Sequence, residues 1–190
     1  VPEGFSSIED FNAAFLEALD RQSIFKTHPL DQSLREGVQT PRGLMDIPDP
    51  VIEAYIKALD APIRQYMADI GTAPDHLLTA RNTGNYKMTG CWSVRLGAGG
   101  WHINHVHPEG WISSAYYAAV PEETPDVEDK AGWIKFGEPP FRTNPPTPPE
   151  KWICPKAGLL VLFPSFMWHG THPIHDGATR VTAPFDLVPA

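Results

Sequence analysis

The sequence has few cysteines and no concentration of positive charge. Its 190 residues include two cysteines, Cys91 and Cys154, and no Cys-x-x-Cys motif. This excludes a disulfide framework and favours a reducing, cytoplasmic location. The formal net charge is −8, and the 15 Lys and Arg residues are scattered along the chain. We therefore expect no surface for nucleic acid or for an anionic membrane.

The chain also lacks long apolar runs and internal repeats. It has no run of about 18 apolar residues and no charged-then-apolar leader, so the sequence predicts neither a membrane span nor a signal peptide. A length of 190 residues with 42% hydrophobic residues predicts a single domain, residues 1–190, with a sizeable core. Since the chain begins at Val1 rather than Met, we expect either a processed product or the C-terminal part of a longer polypeptide.

Helix signals are confined to the first 75 residues or so. A first helix is predicted where Ser6 and Glu9 have the spacing of a capping box and apolar residues recur every four positions. Those apolar residues are Phe11, Phe15 and Leu19. A second helical stretch is predicted over residues 50–71, where Pro62 either kinks the helix or starts its successor. The intervening residues 28–45 show little periodicity and predict an irregular arm.

From about residue 77 onward the pattern is that of strands. Short segments rich in β-branched and aromatic residues alternate with turn residues. The predicted strands are 77–81, 86–96, 111–120, 132–136, 158–163 and 180–188. An acidic loop, 122–129, and a proline-rich loop, 139–149, interrupt them. This order predicts a mainly β fold, a sandwich or jelly roll over residues 76–190, supported by N-terminal helices over residues 1–75.

Three histidines occur within six residues, at His102, His105 and His107. Side chains two apart on an extended chain share a face, so His105 and His107 can present two imidazoles to one ion, whereas His102 faces the other way. The third ligand is predicted to be His169, which follows an apolar strand and the Pro164-Ser165 turn. The long separation of His105 and His169 is typical of a site formed by strands that meet across a barrel.

Neutral imidazoles with open coordination positions suit a divalent transition metal. In oxygenases, Fe(II) is held by two histidines and a carboxylate, but this sequence has His107 at the position that a carboxylate would take. Further along, Arg180 and Thr182 share one face of a predicted strand. A guanidinium and a hydroxyl there would suit the distal carboxylate of a 2-oxo diacid.

Five short motifs, taken together, resemble one enzyme family. They are His105-Val106-His107-Pro108, Ile112 to Tyr117, Gly132 to Phe136, Phe163-Pro164-Ser165 with His169, and Arg180-Val181-Thr182. In this order they resemble the Fe(II)/2-oxoglutarate-dependent dioxygenases, in particular bacterial and phage oxygenases related to prolyl 4-hydroxylases, over roughly residues 85–188. The resemblance implies a double-stranded β-helix and a hydroxylase that consumes O2 and 2-oxoglutarate and releases succinate and CO2.

The resemblance also implies roles for individual residues. His105, His107 and His169 would be the catalytic metal ligands for Fe(II), and Arg180, Thr182 and Tyr117 would bind 2-oxoglutarate. Four aromatic residues near the histidines would shield the reaction. They are Trp101, Trp111, Phe166 and Trp168. The substrate would be a small molecule or a protein side chain.

Several alternatives remain open at this point. Glu109 is another source of a metal-site carboxylate, and Arg180 could instead pair with Asp186 or Asp176. The remaining histidines of interest, His102, His172 and His175, are expected to be structural. The competing functions are a three-histidine cupin dioxygenase that uses no 2-oxoglutarate, a non-catalytic metal-binding jelly roll, and a structural module with a degenerate site.

Overall fold

A computed structural model describes residues 1–22, 33–40, 43–121, 127–175, 177 and 179–190. The helices are α1 (Ile8–Gln22), α2 (Pro50–Ala58) and α3 (Asp60–Ile70), with short 3₁₀ turns at Leu44–Asp46 and Thr79–Arg81. The strands are β1 (Leu34–Gln39), β2 (Tyr86–Cys91), β3 (Val94–His102), β4 (Ile112–Ala119), β5 (Ile134–Phe136), β6 (Lys151–Ile153), β7 (Leu160–Pro164), β8 (His169–Thr171), β9 (Arg180–Thr182) and β10 (Phe185–Pro189).

The strands form two antiparallel sheets. In the larger, seven-stranded sheet the order is β1-β3-β9-β4-β10-β2, and β7 pairs with β4. The smaller sheet has the order β6-β5-β8. An isolated antiparallel bridge joins His105 to His169 at the first residue of β8. The predicted mainly β jelly roll with N-terminal helices is confirmed, and this bridge lies between the two sheets.

The helices cover the outer face of the larger sheet. Phe11 and Phe15 of α1 are fully buried and stack with centroids 5.2 Å apart, and burial of each ring contributes roughly 1.5–3 kcal/mol. Tyr55 of α2 lies 4.7 Å from the Phe15 ring, and its hydroxyl donates to the Ala183 carbonyl at 2.5 Å. The helical layer therefore fixes the chain between β9 and β10, close to the candidate site.

Adjacent tyrosines of β4 point to opposite sides of the sheet, as strand alternation requires. Tyr116 faces the helices, and its hydroxyl donates to Asn12 Oδ1 at 2.6 Å. Tyr117 belongs to a second apolar cluster with Phe136 and Phe163. Tyr116 therefore packs in the core beneath the helices, and Tyr117 packs in the interior between the sheets.

The helix ends follow local capping chemistry. Asp10 N–H donates to Ser7 Oγ at 3.1 Å, while the Asp10 carboxylate accepts from Ser6 N–H at 3.2 Å. The capping interaction is therefore shifted by one residue from the predicted Ser6 and Glu9 pair. Pro62 lies in the first turn of α3, where proline is tolerated, and α3 ends as predicted at Gly71, whose φ is 63°.

One predicted strand and one predicted irregular segment were wrong because tertiary contacts decided the local structure. The predicted strand 77–81 is instead a 3₁₀ turn held by the Trp111 indole, which donates to the Leu78 carbonyl at 2.7 Å. The predicted irregular arm contains β1, which pairs with β3; residues 28–32, 41 and 42 of that arm lie outside the described residues. The acidic loop prediction over 122–126 lies outside them as well.

Two predicted strands are each divided in the structure, and two strands besides β1 were missed. Residues 86–96 break into β2 and β3 at Trp92, whose N–H donates to the Pro184 carbonyl at 3.1 Å. Residues 180–188 break into β9 and β10 at that same Pro184. The missed strands, β6 and β8, are three residues each and exist through pairing with β5. Within the described ranges, no helix is long and apolar enough to cross a bilayer.

Candidate active site

The three predicted histidines converge on one point between the sheets. His105 N–H donates to the His169 carbonyl at 2.9 Å, and His169 N–H donates back at 3.0 Å. His107 is held separately, because its N–H donates to the Ser165 carbonyl at 2.9 Å. One ring nitrogen or equivalent ligand atom from each histidine lies within 4.8 Å of the others, and this is the only such group of three among the described residues.

Two of the three rings are oriented by the backbone just before them. His105 Nδ1 lies 2.7 Å from the Ile103 carbonyl, and His169 Nδ1 lies 3.0 Å from the Met167 carbonyl. A carbonyl only accepts, so each Nδ1 carries the proton and each Nε2 keeps its lone pair for a metal. Burial lowers the pKa of His105 and lowers the pKa of His169 to about 3, so both rings are neutral near pH 7, as metal ligands must be.

The third ring is oriented by a carboxylate. His107 Nδ1 lies 2.6 Å and 2.7 Å from the two oxygens of Asp186. The Ser113 hydroxyl donates to the same carboxylate at 2.6 Å. All three histidines therefore donate through Nδ1 and leave Nε2 available, although only His107 has an anionic partner.

Arg180 is a buried cation at the same place. Its residue is 2% exposed, its Nη1 donates to the Gly132 carbonyl at 2.7 Å, and its Nη2 lies 3.5 Å from Thr171 Oγ1. Its guanidinium lies 5.9 Å from the centroid of the Tyr117 ring, whereas its Nε has no hydrogen-bond partner. Burial lowers the pKa of Arg180, but an arginine remains charged in proteins.

No carboxylate within the described part of the chain forms an ion pair with Arg180. A buried charge without a counter-ion is costly, because neither water nor an anion compensates it. A guanidinium at the wall of this cavity therefore favours an anionic ligand.

All six predicted site residues line one cavity of about 670 Å³. They are His105, His107, His169, Arg180, Thr182 and Tyr117. Thr182 and Tyr117 are cross-strand partners on β9 and β4, and Arg180 lies two residues before Thr182, as the predicted shared face requires. The cavity thus combines a cluster of neutral imidazoles with a buried cation.

Residues 90–186 match the model of the family described as "Putative 2OG-Fe(II) oxygenase". This match covers half of the chain. The chain belongs to the 2OG-Fe(II) oxygenases. Fe(II), 2-oxoglutarate and dioxygen are accordingly the metal, the cosubstrate and the oxidant of this oxygenase. No curated protein matches it in sequence.

Solved structures have the same fold as the oxygenase at low sequence identity. A Pseudomonas putida prolyl-4-hydroxylase is 15% identical, with a TM-score of 0.60 over 96% of this chain and 88% of that chain. The viral collagen prolyl hydroxylase of Paramecium Bursaria Chlorella virus-1, in complex with 2OG, is 15% identical with a TM-score of 0.58, over 98% and 93% of the two chains. HygX from Streptomyces hygroscopicus, with nickel, 2-oxoglutarate and hygromycin B bound, is 13% identical with a TM-score of 0.58, over 100% and 82%.

The described residues of the oxygenase fit both the metal and the cosubstrate. The Nδ1 atom of each of the three rings is engaged by an acceptor, which turns Nε2 toward the other histidines as the available ligand atom, and three imidazole nitrogens suit a divalent transition metal. The free Nε of buried Arg180 suits a carboxylate. Both observations come from hydrogen bonding within the chain itself.

His102, which was predicted to lie on the opposite face and to be structural, lines the same cavity. Its ring lies 6.1 Å from the His105 ring and nearly parallel to it, at 26°, and its Nδ1 lies 3.1 Å from Ser33 Oγ. Burial, and then the charge of Arg180, lower the pKa of His102 well below its ordinary value. The parity rule failed because β3 ends at His102 and the chain bends before His105.

The other two histidines lie outside the cavity. The His172 ring lies 6.3 Å from the Trp152 ring, and His175 Nε2 lies 2.5 Å from an Asp129 oxygen. Their structural reading agrees with these contacts.

The four aromatic residues predicted to shield the site do not line the cavity of the described structure. Trp111 is fully buried in the core beneath the helices, and Trp168 packs edge-on against Phe141 at 6.0 Å. The indole that does line the cavity is Trp92, which lies nearly parallel to the His107 ring at 6.2 Å.

Three carboxylates were alternatives, one as a metal ligand and two as partners of Arg180. Glu109 is exposed in the turn after Pro108 and lies outside the group of potential metal ligands. Asp186 pairs with His107 rather than with Arg180. Asp176, the other alternative partner of Arg180, lies outside the described residues.

Proposed function

We propose that the oxygenase hydroxylates a C–H bond of a small molecule or a protein side chain while it converts 2-oxoglutarate to succinate and CO2. In this proposal His105, His107 and His169 hold Fe(II), and Arg180, Thr182 and Tyr117 hold the distal carboxylate of 2-oxoglutarate. The observation that carries the proposal is the buried Arg180, which lines the same cavity as the histidine cluster and has a free Nε.

Charge balance supports a dianionic cosubstrate. Three neutral imidazoles contribute no charge, so a divalent cation beside Arg180 would put three positive charges around one cavity. A 2-oxo diacid supplies two negative charges, one at each end, and so compensates both the metal and the guanidinium. A cosubstrate with one carboxylate would leave the metal or Arg180 without a directly bound anion, since the Asp186 carboxylate reaches the metal site only through His107.

Each cosubstrate-binding residue has a distinct physical role. The fork of Arg180 offers its unpaired Nε–H to a carboxylate, and charge-assisted hydrogen bonds of this kind are about twice as strong as neutral ones. Tyr117 is 1% exposed and covers the guanidinium with its ring, which keeps water from competing. Thr182 is 6% exposed and contributes a hydroxyl on the same face of β9.

Fe(II), when bound, would activate dioxygen, while the net electrons come from the decarboxylation of 2-oxoglutarate and from the substrate C–H bond. The chain positions the reactants and excludes water around them. The Phe163 ring, centred 4.5 Å from the His169 ring, and Trp92 beside His107 provide apolar walls next to the metal ligands. A substrate C–H bond that enters this cavity would therefore meet these two aromatic rings beside the metal ligands.

The experiment is an anaerobic titration with Fe(II) and 2-oxoglutarate, followed by oxygen and measurement of succinate. We expect succinate from the parent protein, and none above background from Arg180→Met or His169→Ala. Arg64→Met and His175→Ala, at positions away from the cavity, are matched controls and should retain turnover.

The same assay distinguishes the competing functions. A cupin-type dioxygenase would consume oxygen without 2-oxoglutarate and would give Arg180 no role. A non-catalytic metal-binding protein would bind Fe(II) and release no succinate. Either result would overturn the proposal.

A further inference from the structure

Asp186 is built into the site by two strands. It lies on β10, where it pairs with Ser113 of β4, and both of its oxygens reach His107 Nδ1, at 2.6 Å and 2.7 Å. The Ser113 hydroxyl donates to Asp186 at 2.6 Å and lies 2.9 Å from the Ser165 hydroxyl. The side chains of His107 and Asp186 are only 20% and 18% exposed, so water weakens this contact little.

The three histidines differ in the partner that accepts their Nδ1 proton. His105 and His169 donate to neutral backbone carbonyls, whereas His107 donates to a carboxylate. A carboxylate partner makes an imidazole a stronger electron donor and places a negative charge on the side of the imidazole that faces away from the metal. His107 also stands at the position that a carboxylate takes in the general pattern of two histidines and one carboxylate around Fe(II).

We propose that Asp186 is a positioning residue that supplies the metal centre with its negative charge through His107. The carboxylate that usually binds the metal directly would act here one step further out, across the imidazole. Asp186 would thereby raise the affinity for Fe(II) and lower the Fe(III)/Fe(II) potential. This inference rests on the proposed function in that it takes His107 as a ligand.

A purely structural role is the competing explanation. The His107 and Asp186 contact also ties the segment after β3 to β10, and any hydrogen-bond acceptor could do that. The two roles separate in Asp186→Asn, because the amide oxygen can still accept from Nδ1 and keep the ring orientation, while the charge is gone. Asp186→Ala removes both the charge and the acceptor.

The test measures Co(II) and Fe(II) binding anaerobically and without 2-oxoglutarate, together with the Fe(III)/Fe(II) midpoint potential. Asp186→Asn should weaken metal binding by about 10- to 100-fold, as loss of an outer-shell partner does elsewhere, and should raise the potential. Asp69→Asn, which removes an exposed carboxylate of α3, is the matched control and should change neither. Unchanged affinity and potential in Asp186→Asn would overturn the inference.

A double-mutant cycle separates an effect of Asp186 that passes through His107 from an independent effect. On a His107→Ala background there is no imidazole for Asp186 to act through and no new charge beside it, so Asp186→Asn should change metal affinity by less than about threefold. An equal loss on both backgrounds would show that Asp186 acts independently of His107 and would contradict the inference.

These outcomes are distinguishable from failure of the proposed function. If the parent binds no metal, both proposals fail. If the parent binds metal and shows the Asp186 effect but releases no succinate, the proposed reaction fails and the assignment of Asp186 stands.

Discussion

Replacement of Arg180 by Met should separate folding from cosubstrate binding. The change removes a buried guanidinium whose desolvation costs several kcal/mol. It also removes the bond to the Gly132 carbonyl, which is 2.7 Å long in the structure and worth about 1.5–3 kcal/mol as a hydrogen bond to a charged group. Because these terms oppose each other, we expect the ligand-free free energy of unfolding to change by no more than about 2 kcal/mol.

The effect on 2-oxoglutarate should be much larger. Two charge-assisted hydrogen bonds at about 1.5 kcal/mol each amount to about 3 kcal/mol, and every 1.4 kcal/mol is tenfold in Kd, so Arg180→Met should weaken 2-oxoglutarate binding by more than about 100-fold. Urea unfolding of the ligand-free protein and anaerobic calorimetry in the presence of Fe(II) measure the two quantities. Arg64→Met, at an exposed helix position, is the matched control.

The opposite pattern would refute this reasoning. If Arg180→Met lost several kcal/mol of stability while the Kd for 2-oxoglutarate stayed the same, Arg180 would be a structural arginine. The proposed cosubstrate site would then lose its anchor.

Two further predictions concern the strands and the titration of the site. Gly170→Ala should cost about 1–3 kcal/mol of stability and weaken metal binding, because the added Cβ would lie within about 3 Å of Asn104 and push β8 away. The control is Gly97→Ala, whose Cβ would meet no atom closer than 3.6 Å. Equal effects of the two substitutions in denaturation and metal titration would contradict this prediction. The metal-free protein should lose stability as the pH falls below about 6.5, because the unfolded chain binds protons at His102 and His169 and the folded chain, in which these pKa values are lowered, does not. Urea unfolding at pH 7 and pH 5.5 measures this change. Equal free energies of unfolding at the two pH values would argue against buried neutral rings.

Local sequence signals predicted the helices well. The apolar spacing that begins at Phe11 and the C-terminal glycine at Gly71 specify helix faces and ends within a few residues. Strand β1 carries no such signal, because it has no clear alternation and contains Glu36 at a positive φ of 50°. Its extended conformation comes from pairing with β3, which only the folded chain provides.

The candidate site was predicted where chemistry could be read from residue type and order. His105, His107 and His169 were found because imidazoles in that arrangement suit a metal, and the structure brings them together. Asp186 could not be found this way, because its partner is distant in sequence and the contact depends on the register of β10 with β4. His102 was set aside by a parity rule that holds only while the strand continues.

The most direct test of the account is an anaerobic absorption titration of the protein with Fe(II) and 2-oxoglutarate. We expect a metal-to-ligand charge-transfer band that saturates at one Fe(II) and one 2-oxoglutarate per chain, disappears when oxygen is added, and is absent from His169→Ala. A parent protein with no band, or a band of equal strength in His169→Ala, would contradict the claim that these three histidines and Arg180 form one oxygenase site.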